Sequence, residues 1–327
     1  MKRRDILKMA AALCAPGMGM SARAAASGSP LGLLPHLTTD PKAPLILYAD
    51  QVSAQGMDAL MTAAMSRLNW TPGRNTGIKM SFESASAPRL DVNLVRVVAE
   101  RTKGTLIDCN GFTPPRDETQ GHLELARRHG YADIAPIDIL DAEGDMDLPV
   151  ANGFRLKHAR TGSHFARYDS VISLVRFKPH HLPRYGGTLK NLSICMGSLS
   201  GKAIIHSGGA IDTHYTSSDN RTTAEAMADA AKAALDAKPG RWAFVQVLAA
   251  VAPTDRCEEA EEMGDIGIFA SLDPVALDQI AIDLAYGSSH AGEAAKRAWA
   301  QHHSTDLPAL AERIGAGSTR YRLEAIG

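Results

Sequence analysis

The sequence contains no apolar run near the roughly 18–20 residues that span a bilayer. It has only four cysteines in 327 residues and no excess of charge, with 35 Lys+Arg against 36 Asp+Glu for a net of −1. The first absence excludes a helical membrane protein, and the second a disulfide-held scaffold. The third excludes a global basic field that would recruit nucleic acid or anionic lipid. The patterns HExxH, CxxC…CxxC, GxSxG and GxGxxG are missing too, which removes the commonest zinc-protease, ferredoxin, hydrolase and dinucleotide readings. What is left, at 45% hydrophobic and 22% charged residues, is a globular chain long enough for one large domain or two modest ones.

The first residues read as an address. Arg3-Arg4-x-Ile6-Leu7-Lys8 matches the twin-arginine export pattern, a short Ala/Gly-rich stretch follows, and Ala22-Arg23-Ala24 offers a small-x-small cleavage site. Residues 1–26 are therefore expected to be a signal peptide, with the twin-arginine export machinery as partner and the periplasm as destination. Leu13 before Cys14 argues against a lipoprotein. Lys2, Arg3, Arg4, Lys8 and Arg23 against Asp5 put +4 in residues 1–24, so the remainder carries −5. It keeps three cysteines, Cys109, Cys195 and Cys257, an odd number that leaves one sulfur unpaired or engaged with a metal. Export by this route in the folded state favours a bound cofactor.

Residues 27–44 read as an extended lead-in and 45–327 as an α/β domain, with 45–165 and 166–327 as candidate lobes about a cleft. Strands are expected at Leu45–Ala49, Gly77–Phe82, Thr105–Cys109, Ile137–Leu140, Phe154–Ala159, Ser170–Phe177, Trp242–Val251 and Asp265–Ala270. Helices are expected at Gly56–Leu68, Val92–Glu100, Glu118–His129, Thr222–Ala237 and from Pro274 to Tyr286, the last capped by Asp273. Such alternation implies a mostly parallel or mixed sheet flanked by helices, with ligands beyond the carboxyl ends of the strands.

The densest polar segment follows the strand ending near Val175. Arg176, Lys178, His180, His181, Arg184 and Lys190 form an anion-binding mouth in a protein of negative charge. Gly186-Gly187 admits a close backbone approach, and a helix starting near Thr188 points its positive end at the ligand. A solvated loop of snorkelling Lys and Arg is the plainer reading of such a run. Gly197-x-x-x-Gly201-Lys202 falls one residue short of a P-loop and runs into strand-like Ile204-Ile205. Cys195 and His206 are metal-ligand types without a standard spacing, and Cys195 also suits a core thiol. Cys257 sits in an acidic loop, which disfavours a free thiolate nucleophile and suits a metal ligand or a solvated surface. His36, His122, His129, His290, His302 and His303 read as surface positions.

These segments resemble the bacterial and archaeal family catalogued as domain of unknown function 362. The resemblance is carried by Phe177-Lys178-Pro-His180, Gly186-Gly187-Thr-Leu189-Lys190-Asn191, Gly201-Lys202…His206-Ser207 and Asp265-Ile-Gly-Ile…Ser271-Leu-Asp273-Pro274-Val-Ala276-Leu-Asp278. Ile78-Lys79 and Arg320-Tyr321-Arg-Leu323 extend it over roughly residues 45–325. Many relatives carry a ferredoxin-type iron–sulfur insert after the His-Ser stretch; here His206 to His214 leads almost directly into the Ala-rich helix, and the insert is absent. Where relatives show Cys-Asp-Cys, this chain has Thr254-Asp255-Arg256-Cys257. The resemblance implies a fold and a site location, and the residues themselves suggest one cleft lined by Lys79, Lys178, His180, Lys190, Lys202 and His206. In it Lys79, Arg176, Gly186, Gly187, Lys190 and Lys202 bind an anionic group, while His180, His206 and Lys178 serve catalysis. Cys195 and Cys257 are the candidate ligands for a metal ion or iron–sulfur cluster. Two functions fit: a metal- or iron–sulfur-associated redox protein or enzyme acting on a small anion, and a non-catalytic periplasmic protein that binds or scavenges a metal or anionic solute.

Overall fold

A computed structural model describes residue 7 and residues 34–85, 87–180, 184–251, 264–287 and 306–326. Residues 1–26 apart from Leu7, where a signal peptide is expected, lie outside the described residues, as do Cys257, His181, His290, His302 and His303.

Twelve strands and eight α-helices form among these residues. In chain order they are β1 (Leu45–Ala49), α1 (Ala54–Arg67), β2 (Thr76–Lys79), α2 (Val92–Thr102), β3 (Thr105–Asp108), α3 (Thr119–Arg128), β4 (Ile137–Ile139), β5 (Asp145–Pro149), β6 (His158–Gly162) and β7 (Ser170–Arg176). There follow β8 (Lys178–His180), β9 (Arg184–Gly186), α4 (Thr188–Leu192), α5 (Leu199–His206), α6 (Asn220–Ala237), β10 (Trp242–Leu248), β11 (Gly267–Ser271), α7 (Pro274–Ile282), α8 (Leu307–Arg313) and β12 (Arg322–Ala325).

Eight strands make one sheet in the order β12-β1-β11-β10-β7-β2-β3-β4. Only the pairings of β11 with β1 and β10 are antiparallel; the other five are parallel. The sheet is buried on both faces, as a mostly parallel sheet requires. β10 is buried at all seven positions. Trp242 and Phe244 join a core with α4–α8, while Ala243, Val245 and Val247 face a second core with α1 and α2. This period-2 division of one apolar strand between two cores makes the fold three layers, helix on sheet on helix.

From β2 the chain proceeds to β3 and β4 on one side, and from β7 to β10 on the other. The connections thus diverge between β2 and β7, and a crevice opens beyond their carboxyl ends. The small hairpin β8–β9 and the helix α4 close over it.

Several elements depart from the sequence reading. Ile204-Ile205 is helical, not strand-like: Ser198 caps α5 by accepting from the Gly201 N–H at 3.2 Å. A Cβ on Gly201 would stand 1.9 Å from the Arg160 carbonyl oxygen, so the glycine lets α5 lie against β6. Packing here overrides the β preference of two isoleucines. The strand expected at 154–159 forms four residues later, as β6. The helix from Pro274 ends at Ile282 and continues as a single π turn, Asp283–Gly287. There Asp283 accepts from the Tyr321 hydroxyl at 2.7 Å and pairs with His36 at 2.9 Å. His36 is therefore half-buried in an ion pair, and its pKa is raised chiefly by the hydrogen bond to Asp283. His122 and His129 are buried rather than superficial.

Candidate functional site

The floor of the crevice is a buried charge network. Lys79, the last residue of β2, is fully buried, and its ammonium donates to Asp108 Oδ1 at 3.0 Å, Asn191 Oδ1 at 2.9 Å and the Met80 carbonyl at 3.1 Å. Three acceptors saturate the three protons of an ammonium. Lys79 therefore supports the cleft from beneath instead of reaching a ligand, contrary to its expected binding role. Asp108 ends β3, accepts the Phe82 N–H at 3.1 Å, and has His122 Nε2 at 3.5 Å. Burial alone would raise the Asp108 pKa, but the Lys79 charge, with His122 and Lys202, outweighs it and holds the carboxyl well below the usual range. Asn191 of α4 closes the network by donating to the Lys79 carbonyl at 3.0 Å and Ser173 Oγ at 2.8 Å.

Above this floor lies a cleft of about 580 Å³. Arg176, Lys178, His180, Gly186, Gly187, Lys190, Cys195, Lys202 and His206 all line it. Residues spread over thirty positions meet because β7 ends here, β8–β9 folds back, and α4 and α5 follow at once. Lys178 pairs with Glu83 at 2.6 Å. Burial would raise the Glu83 pKa, yet Lys178, Lys190 and Arg116 lower it overall. Glu83 holds a left-handed backbone, φ 59°, a conformation that for a non-glycine residue costs roughly 1–3 kcal/mol and gathers at functional sites. The Lys202 ammonium donates to the Gly197 carbonyl. Arg116, Lys190 and Lys202 have no carboxylate within ion-pair distance among the described residues. The two carboxylates that line the cleft, Glu83 and Asp108, are each already paired.

The helix start at Thr188 is not open to a ligand. Its first N–H groups, on Thr188 and Leu189, donate to Asp278 at 2.6 and 2.9 Å, and Gln246 also accepts from Thr188 at 3.1 Å. A Cβ on Gly187 would meet Asp278 Oδ1 at 2.4 Å. Gly187 thus makes room for a carboxylate of the protein itself.

The sulfurs divide. The Cys109 thiol is buried and donates to the Met196 carbonyl at 3.2 Å, and burial together with Asp141 pushes its pKa up to about 12. Cys195 is half-exposed on the cleft wall, and Cys257 lies outside the described residues. Among the described residues no three His, Cys, Asp or Glu side chains gather as metal ligands, so Cys195 has no companion set there for a metal ion or cluster.

Sequence reasoning missed Asp108, Glu83 and Arg116, and the aromatic wall of Phe112 and Tyr215. A charged residue directly after the apolar Leu106-Ile107 pair was a signal for Asp108, since polar ends of parallel strands face ligand crevices. Glu83, Arg116, Phe112 and Tyr215 lie on loops and carry no such signal.

Residues 76–283 match the family described as Domain of unknown function (DUF362). No curated protein matches the chain. Among solved structures, the lactate racemase apoprotein from Thermoanaerobacterium thermosaccharolyticum is similar over 74% of this chain and 58% of its own, at 11% identity and a TM-score of 0.44. A structural-genomics target from Thermotoga maritima is similar over 77% of this chain and 60% of its own, at 10% identity and a TM-score of 0.42. This chain spans less than two thirds of either protein's length, and the likeness is of α/β fold alone.

Proposed function

Because this chain belongs to the DUF362 family, we propose that it binds a small anionic molecule in the cleft over β2 and β7, with His180 or His206 moving a proton on the bound ligand. One observation supports this above the rest: Arg116, Lys190 and Lys202 line one cleft with no carboxylate within ion-pair distance among the described residues, in a sequence whose net charge is −1. Cations gathered in a partly enclosed cleft repel one another, and an anion relieves that repulsion. Among the described residues Cys195 belongs to no group of three or more metal-ligand side chains, so the proposal is argued from the cations.

Calorimetric titration with acetate, succinate, phosphate and sulfate tests it. Lys190→Gln or Lys202→Gln is expected to weaken binding by about tenfold or more, the worth of one charge-assisted hydrogen bond. Failure of every anion to bind the wild type would refute the proposal.

The proposal sets this activity in the periplasm, on the strength of Arg3-Arg4-x-Ile6-Leu7-Lys8. Replacing Arg3 and Arg4 together with lysine is expected to shift the protein from the periplasmic to the cytoplasmic fraction. An unchanged distribution between fractions would exclude the twin-arginine route.

A further inference from the structure

We infer that the anion bound in this cleft carries a planar aromatic body, with its charged group against Arg116, Lys190 and Lys202 and its ring against Phe112 and Tyr215. The inference rests on the anion-binding reading and narrows it to a substrate class. Tyr215 is 48% exposed, one of two large hydrophobic side chains in that state among the described residues. It lies at the cleft and not on an outer face: its ring centroid is 5.3 Å from Phe112 and 5.0 Å from His206, edge-on to both, and Phe112 stands 6.3 Å from His206. Three rings thus gather on one wall of the cleft. Rings in such edge and tilted contacts accept a further ring readily, and a half-wet tyrosine gains by being covered.

Size points the same way. A cleft of about 580 Å³ falls in the range of sites for ligands of many atoms and is far larger than acetate or phosphate needs. Charge fixes the direction in which the ligand lies. On the far side of Phe112 and Tyr215 a second hollow of about 500 Å³ is lined by Asp117, Asp141, Asp145 and Asp212. Those carboxylates repel an anionic group, so the charged end is driven toward the lysines and the ring remains with the aromatics.

The test is titration of the full chain with benzoate and phenyl phosphate against acetate, inorganic phosphate and cyclohexanecarboxylate. The last has a comparable bulk but no π face. Each aryl anion is expected to bind about tenfold more tightly than its small counterpart, and benzoate more tightly than cyclohexanecarboxylate. Tyr215→Ala removes that preference while Tyr215→Phe keeps it, and Lys190→Gln weakens all five ligands alike. Equal binding of benzoate and cyclohexanecarboxylate, or an aryl preference that survives Tyr215→Ala, overturns the inference but leaves the anion site standing, provided the small anions still bind through Lys190. If none of the five binds, both readings fall together.

Discussion

Replacing Asp108 with alanine is expected to destabilise the protein by about 3–5 kcal/mol, the usual cost of stranding one member of a buried ion pair. Lys79 is fully buried, and among the described residues its one close carboxylate is Asp108 at 3.0 Å. Without it, an ammonium remains in a low-dielectric floor with two neutral oxygens for company. Lys79→Met leaves Asp108 with the Phe82 N–H and His122, and is expected to cost a similar amount. The double variant Lys79→Met/Asp108→Leu removes both charges and should recover most of the loss, because replacing a buried pair by apolar side chains is often near neutral. Urea denaturation of the four proteins measures this coupling as a double-mutant cycle. Single variants within about 1 kcal/mol of the wild type would show that the network is not the energetic floor described here. The same variants also bear on the cleft, since Asn191 ties Lys79 to α4, the helix that carries Lys190.

The second large effect is a dependence of stability on pH centred on Asp278. Although Thr188 and Leu189 donate to this carboxyl, burial prevails and pushes its pKa up to about 7. The ordinary value for an aspartate is 3.8, so the folded protein holds this proton more tightly than the unfolded chain does. The stability it contributes is fully present below about pH 4 and is lost as pH rises through about 7. At about 1.36 kcal/mol per pH unit, the swing is roughly 4 kcal/mol. Asp273, which caps α7, is raised to about 6 by burial and adds a smaller swing of the same sign. Asp278→Asn cannot titrate. The stability difference between wild type and variant should therefore change steadily between pH 4 and pH 8, with the wild type losing ground as pH rises. A constant difference across that range, read from denaturation midpoints, would contradict the assignment.

Much of the sheet was legible because its strands are short apolar runs between turn residues, and β10 or β7 leaves few alternatives to a strand buried on both faces. The location of the site was legible for a related reason. Arg176 ends β7 and Lys178 and Lys190 come soon after it, and the end of a central parallel strand opens on the crevice. What the sequence hid was pairing at a distance. Nothing local to Lys79 shows that Asp108, 29 residues later, lies at its ammonium, so a lysine that supports the floor reads like one that grips a ligand. The same is true of Gly187, whose missing side chain admits Asp278 from 91 positions away and not a ligand. α5 was misread because its two β-branched isoleucines speak locally for a strand, while its real determinants are the Ser198 cap and the contact of Gly201 with β6. His122 looked superficial because its partner Asn110 and its neighbour Asp108 come from another element.

The pairing of β2 with β7 has a kinetic consequence. Their four-residue register, Thr76 with Ser170 through Lys79 with Ser173, welds the two walls of the cleft to one continuous frame. Hinge rotation of one wall about the other would have to shear a central parallel ladder, so a ligand's passage is governed at the rim, by the segments that carry Phe112 and Tyr215. Association rates should then respond to changes at those two loops and stay indifferent to viscosity-damped motions of whole halves of the chain. The molecule is a fixed bowl whose rim is set by Phe112 and Tyr215.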